Sequence, residues 1–438
     1  MRISIFGLGY VGAVTAGCLS SRGHYVVGVD VHEQKVGDFN NGIAPIVEPG
    51  LDELLKSAKE KELLRATTDY ADAVKDTELS IICVGTPSAP SGALDLQYVR
   101  TVAGQIADAI KAKNSHHHVV LRSTMLPGST RSIVDEKLKD AVDSGLADIF
   151  YYPEFLREST AVKDFEVPSL AVVGSVDGSR PPENLMNDLF GTYGEQGTPA
   201  CVVNWNTAEM IKYACNAFHA AKITFANEIG RVGKQLDIDS KVVMHMLCED
   251  KRLNISPYYM RPGNPFGGSC LPKDVRALTD KARTTGVHIP LLENLLSSNE
   301  RHLQSLLSLI EATGKREAVI LGLSFKSNTD DLRESPMVDV AQYLLGHGYD
   351  VRIYDPALNL AALVGANKRV IDVRMPHLAK LLQGDIATAL GKDGVVIAAQ
   401  KSSIDDLKPH VTENHHFIDV NGWTELQELP SNYEGFCW

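Results

Sequence analysis

The strongest constraint on this chain lies at its start. Residues Arg2–Phe6 read as a short strand and lead into Gly7-Leu8-Gly9-Tyr10-Val11-Gly12; a helical pattern follows to about Arg22, then a second strand, Tyr25–Val29, that ends at Asp30. In such a turn the first glycine makes the tight bend and the second lets the backbone approach a pyrophosphate. The third lets helix and strand pack closely. Asp30, 18 residues beyond Gly12, is placed to accept hydrogen bonds from ribose hydroxyls. It would repel a 2′-phosphate, and the residues that follow, Val31-His32-Glu33, include no arginine, so NAD is expected rather than NADP. A glycine run alone also fits a packing turn; here strand, helix and acid are in register.

Further strand-like runs at Leu79–Val84, Val119–Arg122 and Leu170–Val173 alternate with helical stretches, the pattern of a parallel sheet wound on both faces. From Thr207 to about Leu236 one long helix is expected. After it come a Gly/Pro-rich loop at Met260–Gly268 and more helix to about Glu311. Runs at Ala318–Leu323, Asp350–Tyr354, Gly394–Ala398 and His416–Val420 open a second βα series. The expected class is α/β, with two Rossmann-like doubly wound domains joined by a long central helix. The expected division is 1–200 (NAD-binding), 201–300 (central, helical) and 301–438 (Rossmann-like, without a glycine fingerprint). A length of 438 residues requires more than one core. A net charge of -12 excludes a global field for nucleic acid or an anionic membrane surface. No apolar run suits a membrane span, and four glycines interrupt the apolar N-terminal run, which therefore reads as structure rather than as a signal segment.

Seven cysteines at positions 18, 83, 201, 215, 248, 270 and 437 contain no CxxC pair, so neither a disulfide framework nor a zinc site is indicated. Reduced thiols in a cytoplasm are the simplest reading. Gly267-Gly268-Ser269-Cys270-Leu271-Pro272-Lys273-Asp274 is the stretch that carries chemistry. Pro272 suits a first helical turn, expected to run to about Leu278, and a thiol at a helix N-terminus beside Lys273 is a better nucleophile. Asp274 stands one turn on, where it can act on protons or water. A buried cysteine in a capping turn would not need flanking glycines, Lys and Asp. On the long helix, Lys212, Asn216, His219 and Asn227 fall within about 80° of one another, a polar stripe on an otherwise apolar surface. A thiol has a purpose in a hydride-transfer enzyme if an alcohol is carried through the aldehyde to the acid: it traps the aldehyde as a thiohemiacetal, which becomes a thioester that water cleaves. Lys212 and Asn216 are candidates to steady the oxyanions.

The combination of Gly7-x-Gly9-x-x-Gly12, Gly85-Thr86-Pro87, Pro153-Glu154-Phe155-Leu156-Arg157-Glu158, Phe266-Gly267-Gly268-Ser269-Cys270, and Lys326 before Asp330-Asp331-Leu332-Arg333 resembles the UDP-glucose/GDP-mannose dehydrogenase family over essentially the whole chain. Phe218-His219-Ala220-Ala221-Lys222, Leu156-Arg157-Glu158-Ser159-Thr160, Leu271 and the terminal Cys437-Trp438 resemble the branch acting on GDP-mannose. That resemblance implies two NAD reduced per GDP-mannose, with GDP-mannuronate, the precursor of alginate, as product. It implies Cys270 as nucleophile, with Lys212, Asn216, Asp274, Glu154 and Thr124 in support. Glu158, Lys212, Asn216, His219, Asn227, Tyr258, Tyr259, Arg261, Gly263 and Lys326 are implied to contact the nucleotide sugar. Tyr10, Val11, Asp30, Lys35, Thr86, Thr124, Lys273 and Arg333 are implied to contact NAD. A homodimer or dimer of dimers through the central helices is implied, with Arg261 reaching the neighbour's site. Tyr152 stands where the family usually has Asn, after a short segment, Ala147–Tyr151. Two other readings stay open: the same chemistry on UDP-glucose or a UDP-amino sugar, and a non-catalytic nucleotide sensor. A two-electron hydroxyacid dehydrogenase has no use for the thiol.

Overall fold

The computed structural model describes residues 1–89, 93–190, 200–256, 259–260, 262–268, 270–325, 331–358 and 373–438. The chain forms two units, Met1–Ala220 and Ala221–Trp438, and the boundary falls inside the helix Trp205–Gln235.

Eight described strands build the first unit's sheet: β1 (Arg2–Phe6), β2 (Tyr25–Val29), β3 (Leu64–Thr67), β4 (Leu79–Ile82), β5 (His117–Leu121), β6 (Ala147–Tyr151), β7 (Val172–Ser175) and β8 (Cys201–Asn204). Their order is β3-β2-β1-β4-β5-β6-β7-β8, parallel throughout except for an antiparallel step between β6 and β7. Strands covered on both faces need apolar residues at nearly every position, and β1, β2 and β4 have them. Ile3 and Ile5 pack with Leu19, Leu51 and Leu55 on one face. Phe6, Val27 and Ile82 pack with Val99, Ile106 and Ile110 on the other.

The second unit repeats this plan on a smaller scale. Strands β9 (Glu317–Leu321), β10 (Asp350–Tyr354), β11 (Gly394–Ala398), β12 (His415–Asp419) and β13 (Asn432–Gly435) lie in the order β10-β9-β11-β12-β13, all parallel. Apolar clusters cover both faces. Both sheets reverse their strand order once at the centre, between β1 and β4 and between β9 and β11. At such a reversal the flanking loops splay apart at the carboxyl edge and leave a crevice for ligands. The expected α/β class is therefore observed. The helix of the cysteine stretch is longer than expected and reaches Thr284, with Ala282 in a small core with Val232, Ile289 and Leu292.

Candidate active site

At the first crevice each glycine has its own steric reason. Gly7 has φ +93°, donates its N–H to the Val29 carbonyl (2.8 Å), and a Cβ there would lie 3.0 Å from the Val84 side chain. A Cβ on Gly12 would overlap the Gly7 carbonyl, so the helix Tyr10–Ser21 can sit on this turn only with glycine at position 12. Gly9, the N-cap, has open space where its Cβ would be and provides no side-chain cap. The helix's first N–H groups, those of Tyr10 and Val11 among them, are thus left for an anion, which the helix dipole favours. A cleft of about 590 Å³ continues from here past Asp30, Lys35 and Val84 to Tyr70 and Tyr98. The cradle and cleft fit a dinucleotide.

Asp30 is more engaged than expected. Its Oδ2 accepts from Leu8 N (2.9 Å) and its Oδ1 from His32 N (3.0 Å), with Lys35 Nζ at 3.6 Å. Each oxygen keeps a lone pair for a ribose hydroxyl. Tyr70 and Tyr98 went unnoticed in the sequence; their signal is an aromatic residue in the first turn of the helices Tyr70–Lys75 and Gln97–Lys113.

Further along the same edge, Thr86 Oγ1 donates to the Thr124 carbonyl (2.9 Å) and Ser123 Oγ to the Val84 carbonyl (2.6 Å), which stitches the loops after β4 and β5 together. Lys212 and Glu154 form a largely buried ion pair at 2.9 Å. Glu154 Oε2 also accepts from Leu156 N (2.7 Å), and Lys212 Nζ stands 5.2 Å from the centroid of the Phe155 ring. Of the polar stripe only Lys212 is buried; Asn216, His219 and Asn227 are exposed, as are the apolar Met210, Phe218 and Ile223. The Tyr10 hydroxyl donates to Glu48, which also accepts from Ser159 N (2.9 Å) and Ala161 N (2.8 Å). Burial and this acid raise the Tyr10 hydroxyl above its ordinary pKa. Tyr10 thus ties the glycine turn to the loop bearing exposed Glu158, and Glu48 is a residue no motif disclosed. Tyr152 packs edge-on to Phe190 (centroids 5.0 Å), and the Arg122 guanidinium lies 4.6 Å from its ring centroid.

In the second unit Cys270 is the exposed N-cap of the helix Leu271–Thr284; its carbonyl accepts from Asp274 N (3.0 Å), and Pro272 sits in the first turn. The flanking glycines serve a close packing contact. Gly268, at φ +84°, donates its N–H to the Glu334 carbonyl (3.2 Å), and a Cβ there would meet Phe325 at 2.8 Å. A Cβ on Gly267 would overlap the Glu334 carbonyl. The loop ahead is seated on the carboxyl edge of the second sheet: Asn264 Nδ2 donates to the Ala399 carbonyl (3.2 Å), and a Cβ on Gly263 would lie 2.6 Å from the Val420 carbonyl. Two polar residues hold it there. Asn299 Oδ1 accepts from Phe266 N and its Nδ2 donates to the Phe266 carbonyl, both at 2.8 Å, while His302 Nε2 donates to the Gly263 carbonyl (2.6 Å). Neither was singled out from sequence, since both fall in an ordinary helix, Leu295–Ala312.

Arg333 is gripped by Asp331 at 2.8 and 2.6 Å and lies within electrostatic reach of the Cys270 thiol. Lys273 and Asp274 pair at 3.2 Å and are both exposed. Tyr259 is exposed at φ +61°, and Asn227 borders an open hollow with Arg231 and Lys234. Tyr258, Arg261 and Lys326 lie outside the described residues. Burial pushes the thiols of Cys18 and Cys83 up to about 12, which leaves them inert.

Three family models match in succession. They are the NAD-binding domain of the UDP-glucose/GDP-mannose dehydrogenase family over residues 1–193, its central domain over 206–301 and its UDP-binding domain over 319–425. The chain belongs to the UDP-glucose/GDP-mannose dehydrogenase family. It is an NAD-dependent dehydrogenase, and the first crevice lies within the matched NAD-binding domain. GDP-mannose 6-dehydrogenase of Pseudomonas syringae pv. tomato is 46% identical over 446 aligned residues, covering 100% of both chains. The crystal structure of a ternary complex of GDP-mannose dehydrogenase from Pseudomonas aeruginosa matches with a TM-score of 0.92 at 44% identity, again over 100% of both chains. UDP-glucose 6-dehydrogenase of Haloferax volcanii is 39% identical over 81% of this chain and 83% of its own.

Proposed function

We propose that this family member carries out the four-electron oxidation of GDP-mannose to GDP-mannuronate, with Cys270 as covalent catalyst. The observation that carries the chemistry is the placing of Cys270: an exposed thiol at a helix N-terminus, locked by Asn299, Gly267 and Gly268 onto the carboxyl edge of a nucleotide-type sheet, with Arg333 within reach. The substrate reading is supported by 46% identity, over the full length of both chains, to the P. syringae GDP-mannose enzyme.

NAD, when bound, supplies the hydride acceptor for both two-electron oxidations. The C6 hydroxyl first loses a proton to a base and a hydride, leaving an aldehyde. The Cys270 thiolate then adds to the carbonyl carbon, and the resulting thiohemiacetal loses a second proton and hydride to become a thioester. Water attacks that carbon, the C–S bond breaks, and the carboxylate leaves with the thiolate restored. Lys212 and Asn216 steady the alkoxide and the tetrahedral oxyanions; Glu154, Thr124 and Asp274 hold or move protons and orient the water. Glu158, His219, Asn227, Tyr258, Tyr259, Arg261, Gly263 and Lys326 bind the nucleotide sugar, by likeness of motif.

The three-part division 1–200, 201–300 and 301–438 is supported by the spans of the three family models. No described helix is long and apolar enough to cross a membrane, and the cysteine pattern supports a cytoplasmic setting. A homodimer or larger assembly through the central helices is supported by Met210, Phe218, Ile223, Val242 and Met246, all exposed on the single chain. The helix Ser240–Glu249 has no buried residue, and an isolated helix that short is marginal.

The decisive experiment offers NAD with GDP-mannose, UDP-glucose and a UDP-amino sugar in turn. Two NADH per GDP-mannose are expected, with the UDP sugars far poorer. Cys270→Ala should form no acid while NAD affinity stays within about twofold. Full acid formation by that variant would overturn the mechanism, and preference for a UDP sugar would overturn the substrate.

A further inference from the structure

We propose that His116, His118 and Asp148 form a binding site for a first-row divalent transition metal, zinc foremost, at the amino edge of the first sheet. This is the edge opposite the cofactor cleft, and the proposal does not rest on the dehydrogenase reading.

Ser115-His116-His117-His118 enters β5, where alternate side chains point to opposite faces. His117 turns inward, fully buried, and bonds to Ser80 Oγ (2.8 Å). His116 and His118 share the other face. On the neighbouring strand β6 the residue in register with His118 is Asp148. Its Oδ2 lies 3.2 Å from His116 Nε2 and 3.4 Å from His118 Nδ1. The three ligand atoms are all within 4.8 Å of one another.

Those separations suit a metal. Ligands bound at about 2.0–2.1 Å around a tetrahedral zinc stand about 3.3 Å apart, the spacing Asp148 already keeps from both rings. The ion pair alone is a loose one: His118 Nδ1 is buried, and its 3.4 Å approach to the Asp148 carboxylate misses good hydrogen-bond geometry. A cation between the rings and the acid would satisfy it. The ring of His118 is backed by Phe150 (centroids 6.3 Å), while His116 and Asp148 are about half exposed, which leaves the fourth position to water. Two imidazoles and one carboxylate favour zinc, nickel or cobalt over magnesium or calcium. The absence of a CxxC pair bears only on thiolate sites and does not weigh against this one. Bound there, the ion would cross-link β5 to β6 and stabilise the first unit without entering the chemistry.

The test is zinc titration of the full chain by calorimetry, beside Cys270→Ser to remove an exposed competing thiol. One zinc per chain is expected, retained in Cys270→Ser, with Tm raised by several degrees at saturation. His118→Ala and Asp148→Asn should each weaken binding at least tenfold and abolish the Tm gain, while Asp148→Asn keeps wild-type NADH formation. Cobalt should give four-coordinate ligand-field bands without thiolate charge transfer. Unchanged zinc binding in Asp148→Asn and His118→Ala would overturn the site, as would loss of binding in Cys270→Ser or a thiolate band with cobalt.

Discussion

Lys212 shows how one side chain can serve structure and chemistry together. Its ammonium is held against Glu154 beside the Phe155 ring, so removing it leaves a largely buried carboxylate without its cation. Lys212→Ala should cost about 3 kcal/mol of stability, the scale of breaking a buried pair, and nearly all acid formation. Lys212→Ala/Glu154→Gln should recover much of the Tm, as read by thermal unfolding, but none of the activity. Recovery of both would reduce the pair to a structural role. At this scale sequence was most legible where one residue type alone fits: Gly7 and Gly12 stand where the motif placed them. It was least legible where a residue acts through a backbone atom. Glu48 and Asn299 bind main-chain groups brought near by the fold, and nothing in their own neighbourhood marks them.

Elements fail separately, so each can be tested separately. The Asn299 clamp holds Phe266, four residues before the thiol; Asn299→Leu should lower kcat by about 10²-fold, as small displacements of reacting groups do, with NAD affinity unchanged in a fluorescence titration. The loop carrying Glu158 is closed by Asp164, which accepts from Arg157 N, Nε and Nη2 and from Thr160 Oγ1. The Arg157 guanidinium beside it holds the Asp164 carboxyl below the usual carboxylate range. A depressed folded pKa means that the unfolded chain takes up the proton first. Its stabilisation is therefore complete above about pH 5 and lost as pH falls below about 4. Asp164→Asn should flatten that limb in Tm measured against pH. Strand runs in the sequence located β1, β2, β4, β5, β7, β9, β10, β11 and β12 to within a few residues. It passed over β3, β8 and β13 because they lie at or near sheet edges with half their residues exposed or polar. It passed over β6 because Asp148 interrupts its apolar run.

For the whole molecule, length alone called for several cores, and the βα alternation suggested two sheets. Charge pattern said nothing of partners of its own kind, since an apolar face covered by a second copy looks in sequence like any core. If the central helices pair, Ile223→Glu with Val242→Glu should halve the mass seen by sedimentation equilibrium; an unchanged mass would put the interface elsewhere. The two sheets also close their first turn with the same clasp. Asp30 takes the N–H groups of Leu8 and His32, and Asp355 those of Leu323 and Ala357. In the second copy the Ser324 hydroxyl and N–H fill the acid's Oδ2 as well (2.7 and 3.0 Å). The second clasp is thus fastened by four donors of the chain and the first by two N–H groups, with Lys35 Nζ standing off at 3.6 Å. The carboxyl-terminal turn is thereby held more firmly from within the chain than its amino-terminal twin.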